Sequence, residues 1–294
     1  MTPPDATLRY DVLDVFTDRA FAGNPLAVVY GGDGLGTAQM QAIAREFNLS
    51  ETVYPLPSTM DDAHYKVRFF TPAAEIAFAG HPSVGTAWVL ARDGVIPAGD
   101  VVQECGAGLL PITVDEHGAR LTGGDPTIRG DVDPGMVLAA VGLQQSDVDA
   151  RAPAGIAGAG ADFVFIAVRD DAVGRANLNP AAMRSLDRRP LQGLSVFSYD
   201  SSSGAVHLRM FTPDLGIAED PATGSAAVAL GVFLVWRGLV PGDRESRYVI
   251  SQGAEIGRPS TLDCTVTAQD GAAVRSTVRG GVVPVASGRI AIPG

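Results

Sequence analysis

The chain reads as an α+β protein made of two related halves, and two observations lead there: an internal repeat, and a strand-then-buried-helix pattern inside each copy. "VRFFTPAAEIAFAGHPSVGTA" at 67–87 resembles "LRMFTPDLGIAEDPATGSAA" at 208–227. Arg68, Phe70, Thr71, Pro72, Ile76 and Ala77 recur as Arg209, Phe211, Thr212, Pro213, Ile217 and Ala218. After a two-residue slip, Pro82 and Gly85 recur as Pro221 and Gly224, which sets His81 opposite Asp220. A looser echo joins 105–124 to 252–281. With 294 residues and 46% hydrophobic content, the chain is long enough for two domains with substantial cores.

Taken in order, "PLAVVY" reads as a strand, and Met40, Ile43, Ala44 and Phe47 recur at helical spacing, predicting an amphipathic helix over 37–47. "TVYPL" follows as a strand. Tyr65, Val67 and Phe69 alternate with their neighbours, as do Val206, Leu208 and Met210, which is a strand's period of two. In each copy the strand ends at Thr-Pro. Pro82 or Pro221 then heads an Ala- and Val-rich run, proline being well suited to the first helical position. The Gly-, Pro-, Asp- and Ala-rich region 125–160 is expected to carry the crossing between halves. "DFVFIAV", "GLSVFSY" and the Gly- and Val-rich C-terminus read as further strands.

Composition excludes several classes. Twenty-two basic residues against 33 acidic ones give a net charge of −11, with the basic ones scattered, so a nucleic-acid partner is not expected. The longest apolar runs fall short of the ~20 residues that span a bilayer, so no membrane partner is expected. The N-terminus "MTPPDATLRYDVLDVF" lacks a basic stretch followed by an apolar one, and a cytoplasmic location is expected. Cys105 and Cys264 lie far apart without metal-ligand spacing and read as small buried hydrophobes; no metal is expected. Neither GxGxxG after a strand nor GxxxxGK[ST] occurs, and no cofactor is suggested.

Four features carry candidate chemistry. The starts of the two repeat helices offer unpaired backbone N–H groups that can hold an anionic ligand, and pseudo-symmetric halves facing each other would bring both to one cleft. His81 stands in the apolar string "AFAGHP", where it loses hydration; a satisfied structural histidine is the alternative, and Asp220 at the equivalent place weighs against it. Asp220 alone could equally be an N-cap. Glu51, in "NLSET", stands where a carboxylate could enter the interior and serve as acid and base, although a solvated loop glutamate is the commoner fate. Ser225 lies in no nucleophile elbow and reads as a donor near a helix head. His64, His117 and His207 read as surface residues.

"GNPLAVV" at 23–29, "NLSET" at 48–52, "FTPAAEIAFAGHPSVGTA" at 70–87, "DPATGSAA" at 220–227 and "QGAEIGRPS" at 252–260 together resemble the phenazine biosynthesis PhzF family, in order along nearly the whole chain. Ser83 replaces the threonine usual after Gly-His-Pro and keeps the hydroxyl. The resemblance implies a diaminopimelate-epimerase-like fold: two pseudo-symmetric halves, each a mixed sheet curled around a central helix. The halves are expected at 1–126, rejoined by a returning strand at 282–294, and at 127–281.

The resemblance also implies a cofactor-independent isomerase acting on a small carboxylate, trans-2,3-dihydro-3-hydroxyanthranilate or a related compound. Glu51 would shuttle the proton, assisted by His81 and Asp220. Ser50, Gly80, Gly224 and Ser225 would bind the substrate carboxylate, and a homodimer is expected. Related epimerases place two cysteines at the helix heads; here the heads carry none. Alternatives are an epimerase or racemase working without thiols, an isomerase of another cyclic amino acid in a natural-product pathway, and a binding protein without chemistry.

Overall fold

In a computed structural model of the chain, residues 6–186, 191–213 and 217–294 are described. The first five residues of the N-terminal stretch and residues 214–216 of the second repeat copy lie outside them. The chain divides into two compact units, Met1–Leu121 with Arg279–Gly294, and Thr122–Val278. No helix among the described residues is long and apolar enough to cross a membrane, which says nothing of membrane β-barrels.

In the first unit, β1 (Thr7–Val15) and β2 (Asn24–Val29) are antiparallel, α1 (Thr37–Phe47) follows, and β3 (Glu51–Leu56) lies parallel to β2. The α1 stripe of Met40, Ile43 and Ala44 is buried, and Asn48 ends the helix at φ 51°, a left-handed turn that asparagine tolerates. β4 (Tyr65–Phe70) is antiparallel to β3, and the two-residue β5 (Glu75–Ile76) folds back on it. α2 (Gly80–Arg92) then leads to β6 (Gly99–Cys105), parallel to β4, with β7 (Gly108–Val114) and β8 (Gly118–Thr122) following as antiparallel neighbours.

The second unit opens with β9 (Pro126–Asp131) and α3 (Pro134–Val141), the latter capped by Asp133. β10 (Gly155–Ala159) is antiparallel to β9 and to β11 (Asp162–Ala167). Residues 126–159, expected to carry a crossing, are thus two strands and a helix inside this unit, and the chain passes between units at Leu121/Thr122. The helices α4 (Asp170–Val173) and α5 (Pro180–Ser185) precede β12 (Gly193–Asp200), parallel to β11. β13 (Ala205–Thr212), β14 (Ile217–Asp220), α6 (Gly224–Trp236), β15 (Glu245–Gln252) and β16 (Ser260–Gln269) follow. β17 (Ala272–Ala291) leaves the second unit at Val278, and its later part pairs with β1 from Val15↔Val282 to Thr7↔Ala291.

The looser part of the repeat is structural as well. β1 through β7 pair in the same sequence of antiparallel and parallel contacts as β10 through β16. Each repeat helix is 13 residues long and buried, α6 on almost every side, as a helix without a polar face requires. Its fully buried Val228, Leu230, Phe233 and Leu234 stabilise the unit by roughly 1.5–3 kcal/mol each.

An arginine clip recurs in both copies. Arg68 Nε and Nη2 each meet a Glu75 carboxylate oxygen at 2.7 Å, with the guanidinium 5.2 Å from the Phe70 ring. Arg209 meets Glu219 at 2.8 and 2.7 Å and lies 5.2 Å from the Phe211 ring. β4–β5 pairs Phe70 with Glu75 and Phe69 with Ile76, while β13–β14 pairs Phe211 with Glu219 and Met210 with Asp220.

This register corrects the repeat. The extra residues of the second copy fall between Pro213 and Glu219, ahead of the short strand, so Asp220 matches Ile76 and His81 matches Ser225. The Ile-Ala pair present in both copies had masked the slip. The prolines shift too: Pro82 is the third residue of α2, and Pro221 precedes the α6 cap residue Thr223. Proline is accommodated anywhere in a first turn, whose N–H groups have no intrahelical partner.

Candidate active site

At the head of α2 the cap residue is Ala79, which has no side chain to satisfy the first N–H groups. His81 is the second helical residue and only 3% exposed. Its ring donates to the Pro25 carbonyl, and its Nε2 lies 3.3 Å from Glu51 Oε2. Those two atoms touch without the alignment of a hydrogen bond, so the N–H given to Pro25 is Nδ1–H. Glu51 opens β3, paired with Leu26 of β2, which explains why Pro25 and Glu51 meet the same imidazole.

Burial pushes His81 down to about 3, against a smaller upward pull from the Pro25 carbonyl, so the ring is neutral near pH 7. With Nδ1–H committed, Nε2 presents a lone pair to Glu51. A carboxylate oxygen there is repelled, whereas a carboxyl O–H donates. The contact therefore has room for one mobile proton.

Ser83 is fully buried and occupied: its hydroxyl donates to the Ala79 carbonyl at 2.8 Å and accepts from Gln103 at 2.9 Å. Gly80 is buried and Ser50 half-buried just before β3.

In the second unit Asp220 ends β14 and is 6% exposed. It does not cap α6, whose cap residue is Thr223. Nor does the Thr223 hydroxyl turn to the helix: it donates to Asp220 Oδ2 at 2.6 Å. The first turn of α6, with buried Gly224 and half-buried Ser225, therefore also lacks a side-chain cap. By register the counterpart of Glu51 is Gly193, where a Cβ would come within 2.7 Å of Met210 Sδ and 2.8 Å of the Phe211 carbonyl. Glu51 therefore has no carboxylate counterpart in the other copy.

Glu51 and His81 are thus brought together in the first unit; Asp220, Gly224 and Ser225 belong to the second. Sequence reasoning missed Pro25, which acts through a backbone carbonyl, and Thr223 and Gln252, although both stand inside the quoted motifs. Cys105, at the end of β6, and Cys264, within β16, are buried free thiols, and burial pushes the Cys105 thiol up, away from thiolate chemistry. His64 and His117 are exposed as expected; His207 is half-buried against Glu255.

Residues 13–288 match the model of the phenazine biosynthesis-like protein family, PhzC-PhzF. The chain is 38% identical to an uncharacterised isomerase of Mesorhizobium japonicum, over 97% of this chain and 99% of that one. It is 33% identical to the trans-2,3-dihydro-3-hydroxyanthranilate isomerase of Pseudomonas aeruginosa, over 86% of this chain and 88% of that one. The crystal structure of a Bacillus anthracis phenazine biosynthesis protein of the PhzF family superimposes with a TM-score of 0.87 at 25% identity, covering 98% and 100% of the two chains.

Proposed function

The chain belongs to the phenazine biosynthesis-like PhzF family, has its diaminopimelate-epimerase-like fold and is an isomerase, and we propose that it moves a proton and a double bond on a small cyclic carboxylate through Glu51. The proposed substrate is trans-2,3-dihydro-3-hydroxyanthranilate or a related cyclic amino acid. One observation carries the reading: a buried neutral imidazole, locked by Pro25, faces the Glu51 carboxyl at 3.3 Å. Glu51 as carboxylate removes a proton from one ring carbon and, as carboxyl, returns it to another. Between the two steps a turn of the Glu51 carboxyl lets its O–H donate to the His81 lone pair, which holds it in place.

That Glu51 is matched by Gly193 in the other copy favours one shuttling group over the two opposed bases of a racemase. In the proposal Asp220 polarises the substrate, and Ser50, Gly80, Gly224, Ser225 and the uncapped N–H groups hold its carboxylate. The same reading places the enzyme in the cytoplasm as a homodimer, for which light scattering is the direct check.

The test is NMR of trans-2,3-dihydro-3-hydroxyanthranilate with the enzyme in heavy water. The native chain is expected to shift the double bond, and Glu51→Gln to leave the ligand bound but unchanged. Full turnover by Glu51→Gln would remove the assignment. Deuterium entering a stereocentre without double-bond movement would replace isomerisation by epimerisation.

A further inference from the structure

Gln252 takes no part in the proposed proton transfer, yet it is 2% exposed and its side-chain hydrogen bonds end on the segment that carries Asp220. It is the last residue of β15, where the chain emerges beside the loop between β14 and α6. Its Nε2 donates to the Asp220 backbone carbonyl at 2.8 Å and to Thr223 Oγ1 at 3.1 Å, and its Oε1 accepts from the Thr223 N–H at 3.2 Å. Only one orientation of the amide works: reversed, it would set its oxygen against a carbonyl and its NH2 against an N–H. The next residue passes close against the same loop. Gly253 has φ +80°, and a Cβ there would come within 2.5 Å of the Pro221 carbonyl oxygen, a passage only glycine permits.

The Thr223 hydroxyl has a single proton. Since its oxygen accepts from Gln252 and lies 2.6 Å from Asp220 Oδ2, that proton is directed at the carboxylate. We infer that Gln252 is a positioning residue, which orients the Thr223 hydroxyl and thereby fixes how the Asp220 carboxyl is turned and which of its oxygens is engaged. The inference rests on the proposed action of Asp220 on substrate.

The test compares Gln252→Met, similar in length but without the amide, with Thr223→Val and with the double variant, all in the full chain. With trans-2,3-dihydro-3-hydroxyanthranilate as substrate, Gln252→Met is expected to lower kcat roughly tenfold, the scale of one lost hydrogen bond to a charged network, while KM stays within about twofold. The acid limb of its pH–rate profile moves to higher pH, because the carboxylate loses a directed donor. The double variant is expected to be no worse than Thr223→Val alone, since one residue acts through the other.

Multiplied losses in the double variant would overturn the inference, as would a Gln252→Met chain that melts earlier with kcat and pH profile intact. If the native chain leaves that compound untouched, the functional reading fails by itself. The positional one is then read in the ligand-free protein, from the Asp220 carboxyl carbon signal, assigned through Asp220→Asn, and the Thr223 amide proton signal. Both are expected to move in Gln252→Met, and unmoved signals would overturn it.

Discussion

At the head of α2 a neutral imidazole is held between the Pro25 carbonyl and Glu51; at the head of α6 the same helical position carries Ser225, and the cap threonine gives its hydroxyl to Asp220. Beneath these differences lie the same strand register, the same arginine clip and the same 13-residue helix without a side-chain cap. Both copies keep the scaffold and an uncapped helix head, while the paired carboxyl and imidazole stand in only one. Asp220 is not the counterpart of His81 but an addition at the position of Ile76. A symmetric pair of bases suits exchange between mirror-related substrates, whereas one carboxyl that takes and returns a proton suits migration of that proton along a ring.

The sharpest way to break this comparison is to remove each side separately. Glu51→Gln is expected to lower kcat by about 10²–10⁴-fold, the usual worth of a general acid–base group, and Ser225→Ala by less than tenfold, roughly one neutral hydrogen bond. Equal losses in single-turnover kinetics would mean that the two heads share the proton chemistry. The clips come next. Arg209 and Glu219 are each only 10% exposed, and Arg209 Nη1 also donates to the Ala176 carbonyl, whereas Arg68 and Glu75 are 23% and 38% exposed. Glu219→Ala, which strands a buried guanidinium, is expected to cost about 3 kcal/mol in urea unfolding. Glu75→Ala is expected to cost under about 1 kcal/mol, as exposed pairs do.

Much of this was legible in the sequence, for reasons that differ by element. The α1 stripe and the alternation of β4 and β13 are periodic burial patterns, which a sequence displays directly. Glu51 and His81 stand out as polar groups beside apolar runs, whereas Asp220 stands out as the repeat counterpart of His81, an equivalence the register removes. The three-residue displacement of the repeat did not show, because Ile76-Ala77 and Ile217-Ala218 match by chance while hydrogen-bond register decides the true equivalence. Glu75 and Glu219 carry no signal in the sequence, since their arginine partners sit across a strand pair. Pro25 could not be found at all, because the group that orients His81 is a carbonyl that every residue possesses.

The glycine opposite Glu51 in the register offers a smaller, purely steric test. Gly193→Ala places a methyl against Met210 and the Phe211 carbonyl, and overpacking of this kind is expected to cost about 1–3 kcal/mol in thermal or urea unfolding. A neutral effect would mean that the second copy has room for a side chain at that position, and the one-sided arrangement would then not be imposed by packing.

The last comparison concerns pH. The second helical residue of α6 is a serine, which does not titrate, so only the α2 head ties folding to protonation through that position. Burial holds His81 at about 3 in the folded chain, below the ordinary value of 6.5 that the unfolded chain recovers. Between these values the unfolded state binds a proton that the folded state does not, so stability falls as pH falls, by up to about 1.4 kcal/mol per pH unit. The contribution is fully present above pH ~6.5 and is lost progressively below it. His81→Asn removes the titrating group, so the difference in unfolding free energy between native chain and variant is expected to shrink by about 2 kcal/mol from pH 6.5 to pH 5. Parallel stability curves across that range would mean that His81 protonates in place, with Glu51 ionised beside it, and the proton would then rest on the imidazole rather than on the carboxyl.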